Sequence, residues 1–266
     1  MGKVKLQDIA KQVGCSVATV SYVLNNDPKQ KIKPETRKKI LQMASFMGYE
    51  KNSIASALAS GKYNLIGIYV GKSNFALAES EHLKVLDKLV EALASSGYQT
   101  VLLPNVLTKE VHNLDAVICY DISEDDFKTA CVNNYITMLG FDTKVHEPWI
   151  FEVTSSFANI KERFLIDDCL LLTYDISSNL IKEEIKKNNK NVLFVSSFSQ
   201  LDNLKNIYKD KNIVVVGDEM YKYLNNKNLK LFSYSIDLNK KITKLVTCLK
   251  KAIKRDEEKV HKFIID

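Results

Sequence analysis

Two stretches of helical spacing, separated by a glycine-marked break, open this chain and constrain its fold more than any other feature. Leu6, Ile9, Ala10 and Val13 fall on one helix face, and Gly14 with Cys15 interrupts the run. Ser16 suits an N-cap, and Val17 to Leu24 makes a second helix with Val20, Val23 and Leu24 inward. Val17, Ala18, Ser21 and Tyr22 are then left on its outer face. Two short helices across a tight turn predict a helix-turn-helix. After the polar segment NNDPKQKIK, Pro34 occupies a first helical turn, and Ile40, Met43, Ala44 and Met47 mark a third helix stopped by Gly48. The three apolar faces can close one small core. On this reading alone the unit is equally one that never meets DNA.

Charge is concentrated in the same region. Residues 1–60 hold ten lysines and arginines against four acids, a net of +6 that equals the net charge of the whole 266-residue chain. The remainder is neutral. A basic head on a neutral body fits a nucleic-acid module, and it fits a solvated lysine-rich face equally well.

Beyond residue 62 the pattern changes to β-type runs alternating with helix-length segments. Tyr63 to Val70, an amphipathic helix from Leu83 to Ala94, and Tyr98 to Leu103 form a β-α-β unit. Apolar runs follow at Asp115 to Tyr120, Ile136 to Phe141, Cys169 to Thr173, Val192 to Val195 and Ile213 to Val216, with helices expected at Ser178 to Lys187 and Asn239 to Lys254. This alternation predicts a parallel α/β sheet, and the strand-like Lys262 to Ile265 is expected to return to the first subdomain.

Several classes are set aside. No run approaches the roughly 18 consecutive apolar residues of a membrane span, and the opening MGKVKLQDIAKQVG lacks the apolar stretch of a signal peptide, so a cytoplasmic protein with no membrane association is expected. Five cysteines, odd in number and never in a C-x-x-C pair, argue against a disulfide framework or a zinc site. The acidic run Glu124-Asp125-Asp126 reads as a solvated loop in preference to a metal site. His82, His112, His146 and His261 are scattered and no phosphate-cradling glycine loop or G-x-S-x-G occurs, so neither an enzyme nor any cofactor is expected.

The string from Val4 to Val70 resembles the head of LacI/GalR-type repressors. It carries D-I-A, G-x-S-x-x-T-V-S, V-L-N, T-R-x-x-I, G-Y and a final I-G-I-x-V in order. The resemblance implies a small all-α helix-turn-helix domain (1–51), a hinge helix (52–61) and an α/β body (62–266) of two parallel-sheet subdomains, periplasmic-binding-protein-like. It implies a homodimeric DNA-binding regulator, a repressor of a pseudo-palindromic double-stranded operator. Val17, Ala18 and Tyr22 would meet base edges, Ser16, Thr19 and Ser21 the phosphates, and Leu6, Asn25 and Thr36 complete the head's DNA-facing set. The family most often has Arg where Tyr22 stands and Pro where Lys51 stands. In the hinge, Asn52 is a suitable N-cap, Ala55 shares the apolar face, and Leu58 would wedge into the minor groove. So short a helix is marginal alone, and Leu58 packing on its own body is the competing reading.

The same resemblance places a small-molecule effector, a sugar or nucleoside, between the two halves of the body. Asn74, Phe75, Asp121, Ser197 and Asp218 are the candidate contacts, because each follows a strand end, where ligands sit in open α/β sheets. Taken singly, each is better explained as an ordinary loop residue. The family's usual Asn-Asp after the strand at Val192 to Val195 is here Ser196-Ser197. The alternative function is a regulator that has lost its effector and binds DNA constitutively or answers to a protein.

Overall fold

The computed structural model describes residues 4–266 apart from 26, 28, 29, 50–60, 167, 209 and 257. The chain divides into two compact units, Met1–Gly61 and Lys62–Asp266.

In the first unit, α1 (Leu6–Val13), α2 (Val17–Leu24) and α3 (Pro34–Phe46) surround one core. Ile9, Ala10, Val20, Val23, Ile40 and Ala44 are buried there, with Leu6, Val13, Leu24, Met43 and Met47 packed around them. Local chemistry sets the turn between α1 and α2. Gly14 takes the left-handed φ of 73° that ends α1. Ser16 Oγ then accepts from Thr19 N at 3.1 Å and caps α2.

The second unit has two lobes. Strands β1 (Leu65–Val70), β2 (Gln99–Leu102), β3 (Ala116–Tyr120), β4 (Thr137–Phe141), β5 (Glu152–Ser155) and β10 (Lys262–Ile265) form a sheet in the order β10-β5-β4-β3-β1-β2. Strands β6 (Cys169–Tyr174), β7 (Val192–Val195), β8 (Asn212–Val216) and β9 (Lys230–Tyr234) form a second sheet in the order β7-β6-β8-β9. Every recorded pairing is parallel. The crossovers are α4 (Ala76–Ser95), α5 (Glu124–Asn133), α6 (Ile160–Phe164), α7 (Asn179–Asn188), α8 (Phe198–Ile207), α9 (Asp218–Leu224) and α10 (Leu238–Lys254). The chain leaves the second sheet through α10, whose Ile242, Leu245, Val246 and Leu249 pack on the first, and β10 closes that sheet against β5.

Helix α4 begins at Ala76, seven residues earlier than the periodicity from Leu83 indicated. The reason lies in what it buries. Phe75 and Ala78 enter the core of the second lobe beside Leu172 and Val195, whereas Leu89 and Leu93 belong to the first. One helix therefore serves two cores, and no single apolar stripe runs its length. Glu124, Asp125 and Asp126 are the first turn of α5, capped by Ser123, where acids complement the helix dipole.

Candidate functional site

The head offers a polar helix face. Ser16, Val17, Ala18, Tyr22 and Asn25 are exposed, and Thr19 and Ser21 are half-buried at its edge. Ser16 Oγ lies 2.8 Å from Thr19 Oγ1, and Asn25 Nδ2 donates to Ser21 Oγ at 3.2 Å, so the short side chains are held in fixed positions. Val17 and Tyr22 are 40% and 38% exposed on this face. Leu6 and Thr36 are half-buried at the starts of α1 and α3. Asn52, Ala55 and Leu58 lie outside the described residues.

The body carries a cavity of 580 Å³ at the carboxyl ends of its central strands. Tyr120, Asp121 and Asp142 reach it from the first lobe, and Thr173, Tyr174, Asp175 and Asp218 from the second. Asp121 and Asp142 directly follow β3 and β4, and both hold left-handed φ values of 49° and 45°. Aspartate tolerates this conformation better than most residues, and such backbone concentrates at functional sites. His82 Nε2 lies 2.9 Å from Asp121 Oδ2, and Asp121 Oδ1 accepts from Ser177 N at 2.9 Å, so Asp121 faces both lobes. Gly71 is fitted to the same point, because a Cβ there would stand 1.7 Å from the Asp121 carbonyl oxygen.

The phenols of the cleft stay protonated at neutral pH. Burial raises the pKa of Tyr120 well above its ordinary value, reinforced by the carboxylates of Asp142, Asp121 and Glu81. Burial does the same for Tyr174, with Glu81 adding to it, and the Tyr174 hydroxyl accepts from Met220 N at 3.1 Å. Burial alone would lower Lys84, but its bond to Glu219 and the neighbouring acids Glu81 and Asp218 outweigh that and hold its pKa above the ordinary value. The cleft thus combines neutral hydroxyls, aromatic faces and fixed charges.

Of the five expected effector contacts, Asp121 and Asp218 line the cavity. Asn74, Phe75 and Ser197 do not. Phe75 is 2% exposed, with its ring 5.1 Å from that of Phe198, because the start of α4 is sunk in the second lobe. Asn74 is exposed just before it, and Ser197 follows the edge strand β7, away from the central strand ends. His82, Lys84, Asp142 and Lys241 line the cleft and were not singled out beforehand. Asp142 follows its strand as Asp121 does, so the same rule could have found it; the others come from helices, where strand-end reasoning has no purchase.

A helix-turn-helix head followed in sequence by a two-lobed, parallel-sheet, periplasmic-binding-protein-like body is the architecture these two units define. The lacI family of bacterial regulatory proteins matches residues 5–52. The maltose regulon regulatory protein MalI of Vibrio furnissii is 32% identical over 100 residues, which are 38% of this chain and 69% of that protein. The chain belongs to the lacI family. Catabolite control protein A of Priestia megaterium is 34% identical over 119 residues, 43% of this chain, and the chain spans 33% of that relative's length. Among solved structures, that of the lac repressor dimer bound to operator and the anti-inducer ONPF matches with a TM-score of 0.65 at 17% identity, over 99% of this chain and 96% of that one, which shows the shared fold. Among the described residues no helix is long and apolar enough to cross a membrane.

Proposed function

We propose that this protein is a sequence-specific, DNA-binding transcriptional regulator, a repressor that binds a pseudo-palindromic operator as a homodimer and answers to a small molecule in the cleft of its body. The observation that carries the reading is the exposed face of α2, where Val17, Ala18 and Tyr22 stand free around a serine cap in a net-basic head. A second helix of this kind suits the major groove, with Ser16, Thr19, Ser21 and Asn25 supplying hydroxyl and amide contacts to phosphate. Asn52, Ala55 and Leu58 are assigned to the minor groove on family resemblance.

The homodimer is supported by exposed apolar side chains on neighbouring elements of the first lobe: Leu83 and Val90 on α4, and Val101 and Leu102 on the edge strand β2. A two-fold operator needs two heads. The relatives' names, which include a maltose regulon regulator and a repressor solved with operator, point the same way.

Selection of bound sequences from random duplex DNA tests the reading. Recovery of a two-fold symmetric sequence, bound far more tightly than bulk DNA, is expected. Recovery of no preferred sequence, or of one bound by a single monomer, overturns it.

A further inference from the structure

We propose that the cleft selects a small molecule carrying a protonated amine, an inference that rests on the reading of the cleft as an effector site. Seven carboxylates line the cavity against three lysines and one histidine. Two of those lysines are already engaged, Lys84 with Glu219 at 2.5 Å and Lys241 with Asp142. Among the described residues, Lys88 donates to Asn239 Oδ1, at 3.5 Å, and makes no ion pair.

Three of the carboxylates hold no cation at ion-pair distance among the described residues, although Lys84 is near enough to Asp218 to feel its charge. Asp87 on α4, Asp218 at the start of α9 and Asp237 at the N-cap of α10 make no ion pair among the described residues, and all three line the cavity. They are exposed and stand on three different elements, so an incoming cation meets net negative charge along the solvent-facing part of the cavity wall. No arginine lines the cavity, so the two-pronged donor that grips carboxylate or phosphate is missing from its described walls. Phe157, Tyr174 and Tyr234 supply aromatic surface for a carbon skeleton or for the ammonium itself. A volume of 580 Å³ lies in the range of small-ligand sites.

The amine can sit on a sugar ring or on an aliphatic chain, and the test separates the two. Titration calorimetry of the full chain at neutral pH would compare glucose, glucosamine, glucose 6-phosphate and spermidine. Binding of glucosamine or of spermidine is expected, at least about tenfold tighter than glucose, with no saturable heat from the phosphate ester. The combined variant Asp87→Asn, Asp218→Asn, Asp237→Asn keeps the shape of each side chain, and asparagine still caps α10. It should melt like the parent and lose about tenfold in amine affinity. Glucose binding as tightly as glucosamine, saturable binding of glucose 6-phosphate, amines that give no heat, or equal amine affinity in parent and variant would each overturn the proposal. The same preparations would be tested on the selected duplex. Tight duplex binding beside failed amine arms removes this inference alone, whereas failure on the duplex removes the regulator reading independently.

Discussion

Glu124 and Ser178 join the two lobes of the body: the carboxylate of Glu124, in the first turn of α5, accepts from the Ser178 hydroxyl that caps α7. The same carboxylate accepts from Leu180 N at 3.0 Å and Asn179 N at 3.1 Å, so an acid of the first lobe completes the N-terminus of a helix in the second. Lys144 with Glu184 adds an ion pair between α7 and the segment after β4.

This clamp should be pH-sensitive. Partial burial alone would raise the Glu124 pKa, but the hydrogen bonds from Ser178 and from the amides of Leu180 and Asn179 outweigh it and hold the carboxyl below the ordinary 4.5. A lowered folded value means a stability contribution present in full above about 4.5 and lost as pH falls through the folded pKa. Glu124→Ala should cost about 2 kcal/mol near neutral pH, by uncapping α7. Urea unfolding of parent and variant between pH 3 and 7 checks this: the gap between them should narrow only at the acid end. A gap that stays constant through that range would contradict the assignment.

Gly71 should tolerate no side chain. Its N–H donates to Tyr120 O at 2.8 Å, which fixes it against the end of β3, and the atom that a Cβ would strike is backbone oxygen, not a flexible side chain. Gly71→Ala is expected to cost on the order of 3 kcal/mol, since β1 or the Asp121 turn must shift. Thermal unfolding measures the loss. Because the displaced turn also carries the carboxylate that faces His82, any ligand affinity of the cleft should fall with it.

The head and the cleft differed in how far they could be read from residues alone. Gly14 and Ser16 punctuate the helix-turn-helix, and all its buried positions lie on the 3.6-residue spacing because each helix faces one core. The start of α4 hid itself, since Phe75 and Ala78 answer to a different core from Leu89. Strand β5 was not anticipated because its first residue is the charged Glu152, which is 2% exposed and accepts from Val145 N at 2.8 Å. A buried carboxylate satisfied by backbone leaves no apolar run to see. Strand β9 begins at an exposed lysine and is only half-buried through Phe232, so its pattern is similarly weak. In the cleft, strand ends located Asp121 and Asp218, but Lys84 and Lys241 arrive from helices whose placement depends on the finished fold.

Tyr22 and Val20 separate recognition from folding in the head. Tyr22 is exposed on α2 and Val20 is fully buried beneath it. Tyr22→Ala should lower affinity for the selected sequence and leave binding to random DNA, and its salt slope, nearly unchanged, because no charge is lost. Val20→Ala opens a hole in a six-residue core and should cost about 2 kcal/mol, weakening binding to both kinds of DNA. Binding measured on both duplexes at two salt concentrations distinguishes them. Equal loss on both duplexes for Tyr22→Ala would remove Tyr22 from the base-reading surface.

Lys241 and Asp142 should behave as one unit. The lysine side chain is 4% exposed and that of Asp142 is 20% exposed, and the ammonium also meets Ser155 Oγ at 2.6 Å and lies over the Phe141 ring, 4.7 Å from its centre. Asp142 Oδ1 in turn accepts from Ser155 N at 3.0 Å and from Ser155 Oγ at 2.9 Å. Removing either charge strands the other in a poorly hydrated place, so Lys241→Met and Asp142→Asn should each cost about 3 kcal/mol. The double variant leaves no unpaired charge: methionine fills the lysine's path across Phe141, and asparagine can still accept from Ser155 through its carbonyl oxygen. It should therefore be more stable than the sum of the single losses implies, by at least about 1.5 kcal/mol in a double-mutant cycle from denaturant unfolding. Losses that simply add would mean that water already screens both groups in the open cleft, and that Lys241 is held by packing along its stem.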